Sequence, residues 1–315
     1  MRVLVTGGAG FIGSHLCEAL LGQGHRVICV DDLSTGSREN IASLEKSGRF
    51  ELAVHDVTEP FDLDADRLFH LACPASPVHY QKDPVRTLLT AVLGTRNALE
   101  LARRRGARLL LASTSEIYGD PAVHPQPETY RGNVNTLGPR ACYDEGKRCA
   151  ETFCADYARQ HGVEVRIARL FNTYGPRMAF DDGRVVSNFA IAALRGEPIE
   201  VHGDGSQTRS FCYVGDTLRG LIALMGFEGP LAGEPINLGN DEETSILALA
   251  RRIVALTGAS SEIVHGRAQV DDPARRCPDL TRAAERLGWR PEVELDQGLG
   301  RTVEFFRRRL GGASG

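Results

Sequence analysis

The chain has 315 residues, 42% of them hydrophobic and 25% charged, with 37 basic against 41 acidic side chains and a net charge of −4. That composition buries a large core and excludes collagen, low-complexity disorder and the strongly basic surface of a nucleic-acid or anionic-membrane partner. No uninterrupted apolar stretch approaches the ~18 residues of a membrane span.

Residue 3 already begins an apolar run, with no charged, leader-like segment ahead of it. Val3 to Val5 reads as a strand, followed by a glycine turn and a helix around Phe11 to Leu21. Strand-like runs recur at Val27–Val30, Phe50–Val54, Leu68–Leu71, Leu109–Ala112 and Val163–Ala168. Helical spacing fills Pro84–Arg105 and Tyr143–Gln160, the latter stopped near Gly162. Alternation of this kind, with strands apolar on both faces, predicts an α/β fold built on a Rossmann-type doubly wound parallel sheet. After about Asn172 the pattern loosens into short strands at 199–202, 211–214 and 235–238, with helices near 185–195, 216–225, 245–257 and 295–309. The expected organisation is a dinucleotide-binding domain over 1–171, to which later segments return. A smaller α/β substrate lobe over 172–310 and a frayed tail over 311–315 complete it. Ligand is expected in the cleft between the lobes, at the carboxyl ends of the strands.

Residues 6–13 read Thr-Gly-Gly-Ala-Gly-Phe-Ile-Gly, directly after a strand and opening a helix. Gly7, Gly10 and Gly13 fit a tight turn, a close backbone approach to a pyrophosphate and close helix–sheet packing. Asp31 ends the next strand, where an acid holds the adenosine ribose. With Asp32 it opposes a 2′-phosphate and favours NAD, although Arg38 in the same loop leaves that choice open. Asp56 and Val57, after the third strand, are candidates for adenine or for a plain strand end.

Tyr143-Asp-Glu-Gly-Lys147 places a phenol and an ammonium at i and i+4, on one helix face. A free tyrosine is a poor base at neutral pH, and a neighbouring positive charge favours its phenolate. Lys147 is one of only three lysines, with Lys46 and Lys82, in a chain that otherwise uses arginine. Its compact three-donor head suits a pair of ribose hydroxyls better than a flat guanidinium. The eight cysteines are scattered without a C-x-x-C pair and read as packing residues of a reduced, cytoplasmic enzyme. No metal site is expected.

The glycine loop, Ser113-Thr114-Ser115-Glu116 and Tyr143 with Lys147 together resemble the extended short-chain dehydrogenase/reductase family. The stretches 70–77, 110–121, 138–148, 171–178, 182–189, 205–209 and 276–279, with Asp271-Asp272-Pro273, are similar to its UDP-glucuronate decarboxylases. The resemblance spans nearly the whole chain. It implies NAD as cofactor and UDP-glucuronate as substrate, with oxidation at C4, loss of carbon dioxide from the β-keto acid and re-reduction to UDP-xylose. Some release of the 4-keto sugar is compatible with it. It assigns Thr114, Tyr143 and Lys147 to proton and hydride transfer at C4, and Arg276 to the carboxylate. Ser115 and Glu116 go to the sugar, with Glu116 divided between positioning and proton handling. Asn172, Arg184 and Arg209 go to the nucleotide sugar. Phe11, Ile12, Leu33, Thr35, Gly36, Leu71, Thr90, Ala112 and Thr173 join the cofactor contacts. The helices at 84–105 and 143–160 resemble those of a homodimer interface. Ser115 stands where related 4,6-dehydratases carry an aspartate. A UDP-glucuronate 4-epimerase is the alternative, and a non-catalytic dinucleotide sensor is the reading from a different class.

Overall fold

The computed structural model describes residues 1–231, 233–267 and 275–312. The Asp271-Asp272-Pro273 run and residues 313–315 of the expected tail lie outside them.

The first half runs β1 (Arg2–Thr6), α1 (Phe11–Gly22), β2 (Arg26–Asp31), β3 (Phe50–Val54), β4 (Arg67–His70), α2 (Pro77–Lys82), α3 (Pro84–Leu89), α4 (Thr95–Arg105), β5 (Arg108–Thr114), α5 (Ala141–His161) and β6 (Val165–Leu170). The second half runs β7 (Thr173–Tyr174), α6 (Val185–Arg195), β8 (Ile199–His202), β9 (Thr208–Ser210), β10 (Cys212–Tyr213), α7 (Val214–Gly226), β11 (Pro235–Leu238), β12 (Glu243–Ser245), α8 (Ile246–Thr257), β13 (Ile263–Gly266), β14 (Arg275–Arg276), α9 (Thr281–Leu287) and α10 (Leu295–Gly312).

Seven strands form the central sheet in the order β11-β6-β5-β4-β1-β2-β3, every pair parallel. Period-two alternation sorts the side chains of β1. Val3 and Val5 pack toward α1 and α7, while Leu4 packs toward α4 and α5. All seven residues of β5 are buried, as a central parallel strand requires. A third core, with Phe189, Ile199, Leu249 and Phe306, sits under the second lobe.

The single helix expected over 84–105 is instead three pieces. Asp83 caps α3 by accepting the Arg86 N–H, and a wide π-type turn over Thr90–Gly94 links α3 to α4. Gly94 packs against Val57 there, with no room for a Cβ (2.9 Å). Such widened turns collect at functional sites, and this one carries Thr90 into the cleft. Helix α5 is longer than its sequence pattern, starting at Ala141 and ending on the left-handed Gly162 (φ 67°). The second lobe is not a separate run of chain: β11 returns to pair with β6. Helix α10 continues to Gly312, beyond the periodic pattern.

All eight cysteines are free thiols, five of them buried. No helix among the described residues is long and apolar enough to cross a membrane.

Candidate active site

A cleft of about 950 Å³ opens at the carboxyl ends of the central strands and runs between the two lobes. At one end the glycine loop turns from β1 into α1. Gly7 has a left-handed backbone (φ +70°), and a Cβ on Gly13 would stand 2.0 Å from the Gly7 carbonyl oxygen. The first N–H groups of α1 therefore face the cleft with no capping side chain, a ready seat for a phosphate. Phe11 and Ile12 line the same wall. We expect Gly13→Ala to abolish dinucleotide retention, measured as nucleotide recovered from purified protein, because backbone itself blocks the added methyl.

Asp31 is buried and held rigidly. One carboxylate oxygen accepts the Ala9 N–H and the other the Leu33 N–H, both at 2.9 Å. Leu33 adopts a left-handed backbone (φ 60°) to make that contact, and its side chain packs on the core rather than into the cleft. Thr35, Gly36, Val57, Leu71, Ala112 and Thr173 line the cleft beside it. Asp56 does not line it. Its carboxylate is taken by Arg86 at 2.5 Å, and Arg86 also approaches Asp32 at 3.5 Å. Arg38, the residue that left the NAD choice open, pairs with Glu45 instead. Among the described residues Arg86 is thus the cation paired with Asp32 and Asp56, although its position within a helical run carried no sign of that role.

The ends of β5 and α5 meet in mid-cleft. Thr114 and Tyr143 both line it, and the Thr114 hydroxyl favours the Tyr143 phenolate. The Tyr143 ring lies parallel to Tyr80, with centroids 5.3 Å apart. Lys147 sits with Nζ 5.9 Å from the Tyr143 ring centroid and donates to the Ala112 carbonyl at 2.8 Å. Burial dominates and pushes the phenol well above its ordinary value, so it stays protonated until further positive charge arrives.

The far end is a buried charge cluster. Arg276 from β14 donates to both Glu116 oxygens, at 2.5 and 3.1 Å, and Arg140 donates to Glu116 at 2.5 Å. Burial alone would raise the Glu116 carboxyl; Arg276 and then Arg140 outweigh it and hold it at about 2. The two arginines thus favour the carboxylate form of Glu116. Ser115, buried beside it, lines the cleft. Arg140 was not among the expected site residues. Its signal was its place three residues before Tyr143, within a run already singled out.

Asn172 and Arg209 line the same cleft, with Arg209 on β9 directly in register with Arg276. Arg184 pairs with Asp182 and lies over the Phe11 ring at 5.6 Å, on the glycine-loop side rather than beside Arg276. Among the described residues, one group could offer metal ligands: His124, Glu243 and Cys277, with atoms within 4.8 Å of one another. Arg275 donates to both His124 and Glu243, so the group already holds a cation of its own.

The model of the NAD dependent epimerase/dehydratase family matches residues 3–239. The chain belongs to that family. Among its relatives, UDP-glucuronic acid decarboxylase 5 of Arabidopsis thaliana is 56% identical over 312 residues, covering 99% of this chain and 91% of that protein. UDP-glucuronic acid decarboxylase 1 of Xenopus tropicalis is 54% identical over 309 residues, covering 98% and 73%. The epimerase/dehydratase fold is equally clear among solved structures. A UDP-glucuronic acid 4-epimerase from Bacillus cereus, in complex with UDP-glucuronic acid and NAD, superposes with a TM-score of 0.88 at 30% identity, covering 98% of this chain and 100% of that one. A dTDP-glucose 4,6-dehydratase from Streptomyces venezuelae with NAD bound gives 0.90 at 28% identity, covering 99% and 98%.

Proposed function

We propose that the protein is a UDP-glucuronate decarboxylase that forms UDP-xylose with NAD as a resident cofactor. The observation that carries this reading is the charge at the far end of the cleft. Arg276, buried, and Arg140, largely buried, converge on Glu116 there, so two guanidinium groups meet one carboxylate in the same cleft as Thr114 and Tyr143. Residue 115 is a serine, so the position between Thr114 and Glu116 adds no carboxylate of its own against the acid group of a uronic sugar. The relatives at 53–56% identity bear the decarboxylase name, whereas 4-epimerases of the same fold stand near 30%.

The residues at the opposite end fit NAD: a glycine cradle that a Cβ would fill, an uncapped helix start, and an acid locked by two backbone N–H groups. Gly7, Gly10 and Gly13 would hold the pyrophosphate, Asp31 the ribose and Lys147 the second ribose. When bound, NAD accepts the C4 hydride and later returns it. Tyr143 takes the proton of the sugar 4-hydroxyl, with Thr114 holding that oxygen, and a positive neighbour offsets the burial that otherwise keeps the phenol protonated. The resulting 4-ketone is β to the C5 carboxylate. Breaking the C5–C6 bond releases carbon dioxide and leaves its electron pair as an enolate, which takes one proton at C5. Arg276 neutralises the carboxylate beforehand and the enolate oxygen region afterwards. The net reaction consumes one proton and no reductant. Supplying UDP-glucuronate and weighing the nucleotide sugar tests the reading. A product lighter by one carbon dioxide is expected without added reductant; a product of unchanged mass would assign the site to 4-epimerisation.

The α3 face supports pairing with a second copy. Val85, Leu88 and Leu89 are 68%, 40% and 43% exposed on it. We expect a homodimer, checked by light scattering at micromolar protein.

A further inference from the structure

Asp144 follows the catalytic tyrosine directly, on the first turn of α5. It is 6% exposed, and its Oδ1 is buried without a hydrogen-bond partner. A buried carboxyl left unpaired is costly, and an asparagine of the same shape would avoid burying a charge. What surrounds it gives the carboxyl a use. Glu116 in the turn after β5, Arg276 on β14 and Tyr80 on α2 interact electrostatically with it, as do Arg140 at the cap of its helix and Cys142, Tyr143 and Glu145 on the helix itself.

We propose that Asp144 is a charge-balancing residue, which holds a proton while a substrate carboxylate occupies the arginine cluster and gives it up when that carboxylate is gone. The inference rests on the decarboxylase reading above. The count of charges carries it. Arg140 and Arg276 supply two positive charges and Glu116 one negative, so the cluster is neutral with Asp144 ionised. A uronate carboxylate entering beside Arg276 makes it neutral only with Asp144 protonated. After carbon dioxide has left and C5 has been protonated, the added negative charge is lost and the proton on Asp144 returns to solvent. The other groups cannot serve. Glu116 is held near 2, and burial pushes the Tyr80, Tyr143 and Cys142 groups upward. Asp144 itself is raised to about 7, first by burial and then by Glu116, against the two arginines.

The sign follows. An arriving carboxylate raises Asp144 further, so binding takes up a proton. Affinity is level below pH ~7 and falls as pH rises through and beyond it, by a limiting tenfold per pH unit for one linked proton. The test uses NAD-loaded Tyr143→Phe protein, which holds substrate without consuming it, and measures dissociation constants for UDP-glucuronate and UDP-glucose from pH 6 to 9, roughly two units to the alkaline side of neutrality. UDP-glucuronate should weaken toward that slope, and calorimetry in buffers of different ionisation heat should show proton uptake. UDP-glucose, which lacks the carboxylate, should change less than about twofold. Adding Asp144→Asn, an isosteric change, should flatten the UDP-glucuronate profile to that of UDP-glucose. UDP-glucuronate binding that ignores pH, or an unchanged slope in the Asp144→Asn protein, would overturn the inference alone. Failure of UDP-glucuronate to bind at any pH, with UDP-glucose bound, would overturn the decarboxylase reading and this inference with it.

Discussion

Tyr143→Phe is expected to lower turnover by about 10³- to 10⁴-fold, the range of a general base removed from a transition state. The ring remains, so its parallel stacking on Tyr80 and the buried packing around it should survive. What disappears is the phenol hydroxyl that faces the cleft with Thr114. The structure makes the expectation sharper than the Tyr-x-x-x-Lys spacing did. Burial penalises the phenolate here, so the group works as a base only while positive charge stands beside it. Rapid mixing of the NAD-loaded variant with UDP-glucuronate, followed by the absorbance of reduced nicotinamide, checks it. Reduced cofactor appearing at the wild-type rate would mean that another base operates.

Arg276→Ala is expected to slow carbon dioxide release by about 10²- to 10³-fold while C4 oxidation falls less than about tenfold. The arginine's side-chain bonds go to Glu116 and not to Thr114 or Tyr143, so the two steps should separate. Reduced cofactor should then accumulate with substrate carbon still in place, read by pairing nicotinamide absorbance with released carbon dioxide. Equal losses in both steps would reduce Arg276 to a binding residue. The substitution also strips Glu116 of one of its two arginines. Breaking a buried pair of this kind costs about 3–5 kcal/mol, so a lowered melting temperature should accompany the kinetic effect. Arg276→Lys keeps the charge without the fork and should recover part of both.

The sheet was legible because parallel strands buried on both faces leave continuous apolar runs, and each run found lies within two or three residues of its strand. The glycine loop and Asp31 were legible because their chemistry depends on backbone shape and on short spacing. Side-chain pairing over long distances was not. Nothing local to Glu116 announces that Arg276, 160 residues later, will close on it. Nothing local to Asp56 announces Arg86. The break in the 84–105 helix was hidden for a related reason. Thr90 to Gly94 keeps a helical apolar rhythm, and the widened turn is imposed by packing of Gly94 on Val57, a tertiary effect that periodicity does not carry. Lys147 stood out as a rare lysine, but its bond to the Ala112 carbonyl needed the β5–α5 geometry.

The return of β11 to the edge of β6 makes the second lobe an excursion in the chain rather than an appendage. Its four-residue ladder, from Pro235 with Ile167 to Leu238 with Leu170, is sewn in after more than sixty intervening residues, which build part of the second lobe before α7 packs back on the sheet. A fragment cut at the apparent end of the first domain would bare the whole outer edge of β6, a row of unsatisfied N–H and C=O groups prone to recruit a neighbouring chain. The two halves of this enzyme are therefore poor candidates for exchange between relatives as separate modules. Recombination that respects the fold would have to cut on both sides of the excursion, keeping β11 with the sheet it completes.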